Sequence, residues 1–148
     1  PAAAENPNVR AELICDGLHA HPAMVRFAFN LFGGERMVLI SDSGRCCGMP
    51  DGEYELGGQQ VFLAGGGARL ADGTIAGAAT NLYAGMRNAM AFGISEEDAV
   101  RAVTYNPACA IGAEKKIGSL ENGKLADFII CTSDYSKKRV FLGGKELV

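Results

Sequence analysis

The run Arg36-Met37-Val38-Leu39-Ile40 constrains this chain most. It is almost unbroken in apolar character, too short for a helix, and stops at Ser41-Asp42-Ser43-Gly44. A strand without polar alternation is one buried on both faces, the pattern of a parallel sheet. The preceding residues complete the unit. Arg10 to Cys15 reads as a short strand closed by the turn Asp16-Gly17, and His21-Pro22 opens a helix. In that helix Met24, Val25, Phe27, Ala28, Leu31 and Phe32 form a broad apolar face at helical spacing, and Gly33-Gly34 ends it. Strand, helix and strand with short links make a βαβ unit, in which chemistry sits at the carboxyl ends of the strands. Two parallel strands do not make a stable buried sheet by themselves. The pattern therefore predicts part of a larger architecture.

Downstream, residues 49–77 are rich in glycine and in short extended pieces, with Asp72-Gly73 as a strong turn signal. They predict an excursion of small antiparallel strands. Thr80 is a candidate cap for a helix over residues 81–90, and Ser95 for one over residues 96–103, whose Glu96, Glu97 and Asp98 complement the helix dipole. Asn106-Pro107 breaks or restarts the helix. The tail returns to strands over residues 126–131, 139–142 and 146–148, with a turn at Gly143-Gly144.

The length of 148 residues suits one domain, and 48% hydrophobic with 21% charged residues is ordinary globular composition. A formal net charge of -3 gives no electrostatic reason to expect nucleic acid or an anionic membrane as partner. No apolar stretch approaches the roughly 18 residues of a membrane span. The first residues lack the features of a signal peptide and do not begin with Met, which fits processing or a piece of a longer protein. The five cysteines are odd in number and show no CxxC spacing. They read as reduced thiols in a cytoplasmic setting, with Cys15 and Cys131 acting as small hydrophobes in apolar runs.

Asp42 ends an apolar strand between two hydroxyls, and a carboxylate there can act as general base or acid, or simply stabilise a turn. His19 and His21 are the two histidines. Their HxH spacing is a metal-ligand pattern when the segment is extended. Leu18 and Pro22 suggest a turn instead, so a polar contact to substrate is as plausible for His19, and a capping or surface role is favoured for His21. Ser41, Ser43 and Cys46 lie near Asp42, but no GxSxG elbow is present. Gly65-Gly66-Gly67 does not match a phosphate-binding loop and reads as a turn. The small residues of Thr74-Ile75-Ala76-Gly77-Ala78-Ala79-Thr80 run from an extended piece into a helix start, where a ligand could approach backbone amides.

These segments resemble the C-terminal part of the N-acetylglucosamine-6-phosphate deacetylase family, within the amidohydrolases. The resemblance lies in AELICDGLHAHPAMVRFAF, MVLISDS followed by GMPDGEYELGG, ARLADGTIAGAATNL, EEDAVRAVTYNPACAIG and IGSLENGKLADFIIC. It implies an α/β fold: about the last two βα units of a (β/α)8 barrel over residues 1–112, with the excursion at 49–77, then C-terminal strands of a small β-sandwich over 113–148. It implies hydrolysis of N-acetylglucosamine 6-phosphate to glucosamine 6-phosphate and acetate. Asp42 is then the catalytic base and acid, His19 a contact to the sugar phosphate, and Ile75, Ala76 and Gly77 a substrate-contacting backbone segment. It also implies a cytoplasmic homo-oligomer and a divalent metal of zinc or iron type. The family's metal ligands, a glutamate and two histidines, lie before this segment, as does the arginine that grips the phosphate from a neighbouring subunit. No metal is therefore expected on this chain alone, and the chain alone is expected to be inactive. A non-catalytic oligomerising module and another metal-dependent amidohydrolase are the alternatives.

Overall fold

The computed structural model describes residues 2–147. The chain divides into two compact units between Val103 and Thr104. In the first, a single turn, α1 (Ala2–Glu5), leads into β1 (Ala11–Ile14), α2 (Pro22–Phe32) and β2 (Met37–Ile40). The expected βαβ unit is present. β1 and β2 pair in parallel, from Ala11 opposite Met37 to Ile14 opposite Ile40. Met37, Val38 and Leu39 are all buried, as consecutive side chains must be when both faces of a strand are covered.

α2 begins at His21, whose Nδ1 accepts the Ala23 amide, with Pro22 in the first turn, where a missing N–H costs little. It ends at Gly33, whose amide donates to the Phe29 carbonyl. The broad apolar face divides in two: Val25 and Phe29 are buried, whereas Met24, Phe27 and Leu31 are exposed. A pair of strands covers only one stripe of a helix, and this helix is apolar over more than one stripe.

The excursion is a four-stranded antiparallel meander of β3 (Gly52–Leu56), β4 (Gln59–Ala64), β5 (Gly67–Leu70) and β6 (Ile75–Ala78). Its core is Val61, Leu63, Ala68 and Ala76 together with Cys46. Gly65 and Gly66, with φ of 56° and 80°, form the two-residue turn between β4 and β5. Left-handed backbone at both positions is what such a turn requires.

α3 (Leu82–Ala91) and α4 (Glu96–Val103) pack on each other and on β2. The α3 cap is Asn81, not Thr80: its side-chain oxygen accepts the Ala84 amide at 2.9 Å. The Thr80 carbonyl serves the site described below instead. The Ser95 cap is as expected, with Oγ accepting the Asp98 amide at 3.1 Å and donating to Asp98 Oδ2 at 2.8 Å.

The second unit holds α5 (Tyr105–Ala110), with Pro107 in its first turn, and an antiparallel sheet of β7 (Phe128–Cys131), β8 (Lys138–Leu142) and β9 (Lys145–Leu147). Phe128 stacks on Phe141 with ring centroids 4.5 Å apart, and Arg139 donates two 2.6 Å hydrogen bonds to Glu146. α5 groups with the tail in this division. Among the described residues no helix is long and apolar enough to cross a membrane.

Candidate active site

Asp16 and Asp42 each lie two residues beyond the last pair of the parallel ladder, Ile14 opposite Ile40, and so occupy the same carboxyl edge. The loop bearing Asp42 is fastened to β6. Its carbonyl accepts the Ala78 amide at 3.0 Å, the Gly44 amide donates to the Ala78 carbonyl at 3.0 Å, and Ser43 forms a parallel bridge with Ala78. Ser43 Oγ donates to the Thr80 carbonyl at 2.7 Å. Between these ties Asp42 takes a left-handed φ of 47°, a region that aspartate tolerates better than most residues. Its side chain is exposed and makes no hydrogen bond or ion pair with the other described residues.

Gly77 explains how the two segments approach so closely. Its φ is 79°, and a Cβ there would stand 3.4 Å from the Asp42 carbonyl oxygen. Ala76 and Ala78 are buried, so β6 presents backbone rather than large side chains beside Asp42. Gly77→Val combines a left-handed backbone with a β-branched side chain. It is expected to cost about 2 kcal/mol of stability, read as a lower chemical-denaturation midpoint. An unchanged midpoint would show that this backbone conformation is not needed.

The His19 loop reaches the same place by another route. Leu18 lies over β5, where a Cβ on Gly67 would come within 3.1 Å of Leu18 Cδ1. Gly67 pairs with Ala78, and Ala78 bridges to Ser43. The His19 loop and the Asp42 loop therefore both border the β5–β6 pair, the first through Leu18 at Gly67 and the second at Ala78.

His19 does not stand alone. Asp16 Oδ1 accepts the amides of Leu18 and His19, each at 2.9 Å, and Oδ2 lies 2.8 Å from His19 Nδ1. The Asp16 side chain is 1% exposed and that of His19 22%. Burial pushes the Asp16 carboxyl up, but the hydrogen bonds from the two amides and the imidazole outweigh it and hold the group below the usual carboxylate range. Sequence reading treats Asp16 only as a turn residue. The one signal available was its spacing, an Asp three residues ahead of a His across Gly17, which suits a side chain folding over its own turn.

The other candidates resolve into structural roles. His21 caps α2 through Nδ1 while His19 Nδ1 faces Asp16, so the HxH pair is not a chelate through these nitrogens. Cys46 is not a nucleophile beside Asp42 but a core residue of the meander. Cys15 is buried, and burial together with the neighbouring Asp16 charge pushes its thiol up to about 11, which keeps it protonated and unreactive. Among the described residues no three His, Cys, Asp or Glu side chains converge as a metal site.

A parallel βα edge carrying a carboxylate, a histidine paired to a buried aspartate and an open glycine-containing strand defines an α/β protein with its polar site on the strand-end loops. The chain belongs to the amidohydrolase family, whose sequence profile matches residues 34–147. It is 36% identical over 141 residues to the N-acetylglucosamine-6-phosphate deacetylase of Vibrio furnissii, covering 95% of this chain and 35% of that one. It is 35% identical over 135 residues to a putative N-acetylgalactosamine-6-phosphate deacetylase of Escherichia coli K12, covering 90% of this chain and 80% of that shorter one. Among solved structures it superposes on an aspartate-to-alanine mutant of N-acetyl-D-glucosamine-6-phosphate deacetylase from Mycobacterium smegmatis, in complex with N-acetyl-D-glucosamine-6-phosphate. The TM-score there is 0.89 at 34% identity, over 98% of this chain and 39% of that one. The chain thus spans about a third of the length of the Vibrio relative. Its fold is α/β, a portion of a (β/α)8 amidohydrolase barrel followed by an antiparallel tail sheet. Amidohydrolases generally use a divalent metal, and the described residues do not by themselves build a site for one.

Proposed function

We propose that the protein carrying this chain hydrolyses the acetamide of N-acetylglucosamine 6-phosphate, releasing acetate and glucosamine 6-phosphate. The observation that carries this reading is the strand-end edge, where the open carboxylate of Asp42 is tied to the small-residue strand at Ala78 and the loop bearing His19 borders the same sheet at Gly67. Asp42 accepts a proton from the attacking water as the carbon–oxygen bond forms. It then delivers that proton to the amine nitrogen as the carbon–nitrogen bond breaks. The absence of any hydrogen bond to its carboxylate among the described residues leaves both oxygens available for this traffic. The backbone of Ile75, Ala76 and Gly77 contacts the sugar, and His19 makes a polar contact to it.

The family's divalent metal, of zinc or iron type, falls on this reading to residues other than those described. The protein is read as a cytoplasmic homo-oligomer, on the strength of its free thiols and of strand edges and apolar side chains that need cover. A second substrate is favoured by one finding, the Escherichia coli relative named for the galactosamine epimer. An acetate-release assay on the complete protein with both N-acetyl hexosamine 6-phosphates decides between them. The glucosamine form is expected to be turned over faster, and acetate from neither sugar would overturn the reading.

A further inference from the structure

The buried carboxylate of Asp16 has no part in the reaction as written above, yet it is nearly sealed from solvent and fully engaged. Its side chain is 1% exposed, and its two oxygens hold the Leu18 amide, the His19 amide and His19 Nδ1 at 2.8 to 2.9 Å. An ionised carboxylate only accepts hydrogen bonds, so at this contact Nδ1 must donate. A neutral His19 then carries its proton on Nδ1 and leaves Nε2 as an acceptor. The platform is firm. Asn88 Nδ2 donates to the Cys15 carbonyl at 3.1 Å immediately before Asp16, and Leu18 is seated on Gly67 immediately after the turn.

We propose that Asp16 is a positioning residue that locks the ring and tautomer of His19, so that neutral Nε2 accepts a hydrogen bond from a hydroxyl of the sugar. This rests on the reading of His19 as a substrate contact and sharpens it. In the neutral ring the free nitrogen is an acceptor, which suits a hydroxyl of the sugar. The low-lying carboxyl of Asp16 agrees with a group that stays ionised and accepting.

The test uses Asp16→Asn in the complete protein. Asparagine keeps the oxygen that holds the two backbone amides and replaces the oxygen facing Nδ1 with a donor. The loop is retained and the imidazole is driven to the opposite tautomer. Nitrogen-15 histidine NMR, assigned with His19→Gln, reads the tautomer at a pH where the spectrum shows the ring neutral. The wild-type ring is expected to be protonated on Nδ1 and the Asp16→Asn ring on Nε2. KM is expected to rise about tenfold with kcat within about threefold, since a ground-state contact is lost. Asp16→Asn added to His19→Gln is expected to raise KM no further, because one residue acts through the other. A wild-type ring protonated on Nε2, an unchanged tautomer in Asp16→Asn, or additive effects on KM each overturn the proposal. The wild-type tautomer needs no variant and no turnover. A protein that releases no acetate but holds Nδ1 protonated therefore places the failure in the assigned reaction and not in the Asp16–His19 pair.

Discussion

Asp42→Asn in the complete protein is expected to lower kcat for acetate release by about 10²- to 10⁴-fold, the range associated with a positioned general acid–base group, while KM changes by less than about threefold. Asparagine has nearly the same shape and is itself at home at positive φ, so the 47° backbone at this position and the ties to Ala78 are retained. What is lost is the ability to take up a proton. The loss corresponds to about 3–5 kcal/mol of transition-state stabilisation, more than removal of one exposed polar contact costs. Steady-state kinetics with a coupled acetate assay reads the effect, and circular dichroism confirms the fold. A loss under tenfold would move the proton transfer to another residue and leave Asp42 as a turn former.

Residues 1–148 produced alone are expected to release no acetate above background, even with zinc supplied, whereas the complete protein does. No three ligating side chains converge among the described residues, and on the proposed reading the metal that activates the water is held by residues outside this segment. The same chain is expected to self-associate. Met24, Phe27 and Leu31 are exposed on α2, as are Ile129, Leu142 and Leu147 in the tail sheet. β1 and β2 form a sheet whose outer edges pair with no third strand among the described residues. Size-exclusion chromatography with light scattering reads the second expectation. Robust deacetylation by the pure chain would sink the first, and a well-behaved monomer the second.

The elements most legible in the sequence are those set by local rules. The unalternating apolar run at Met37–Ile40 is a buried parallel strand, because side-chain periodicity reports burial directly. Ser95 caps α4 and Gly65-Gly66 turns β4 into β5, because capping and left-handed backbone are properties of a few neighbouring atoms. Where two polar residues compete, local rules weaken. Thr80 and Asn81 are both acceptable caps, and the structure selects Asn81, leaving the Thr80 carbonyl to receive the Ser43 hydroxyl from 37 residues away.

The candidate site divides along the same line. Asp42, His19 and the strand at Ile75–Gly77 could be singled out from strand ends, side-chain chemistry and family resemblance. Nothing local could show that Cys46 turns into the meander core, or that Leu18 rests on Gly67, in the strand next to the one that pins Asp42. Asp16 passed as a turn residue because its meaning depends on burial, and burial is a property of everything packed around it. By itself the sequence determined the βαβ unit, the meander, the capped helices and the place of Asp42 as a carboxylate at a strand end. Each of these follows from chain stereochemistry and hydrophobic period over a few residues. Only the tertiary structure decided that the Asp42 loop is pinned to Ala78, that the His19 loop borders the same pair of strands, and that a buried carboxylate faces His19 Nδ1. Those outcomes depend on long-range pairing and on exclusion of water, and neither is written in any short stretch of sequence.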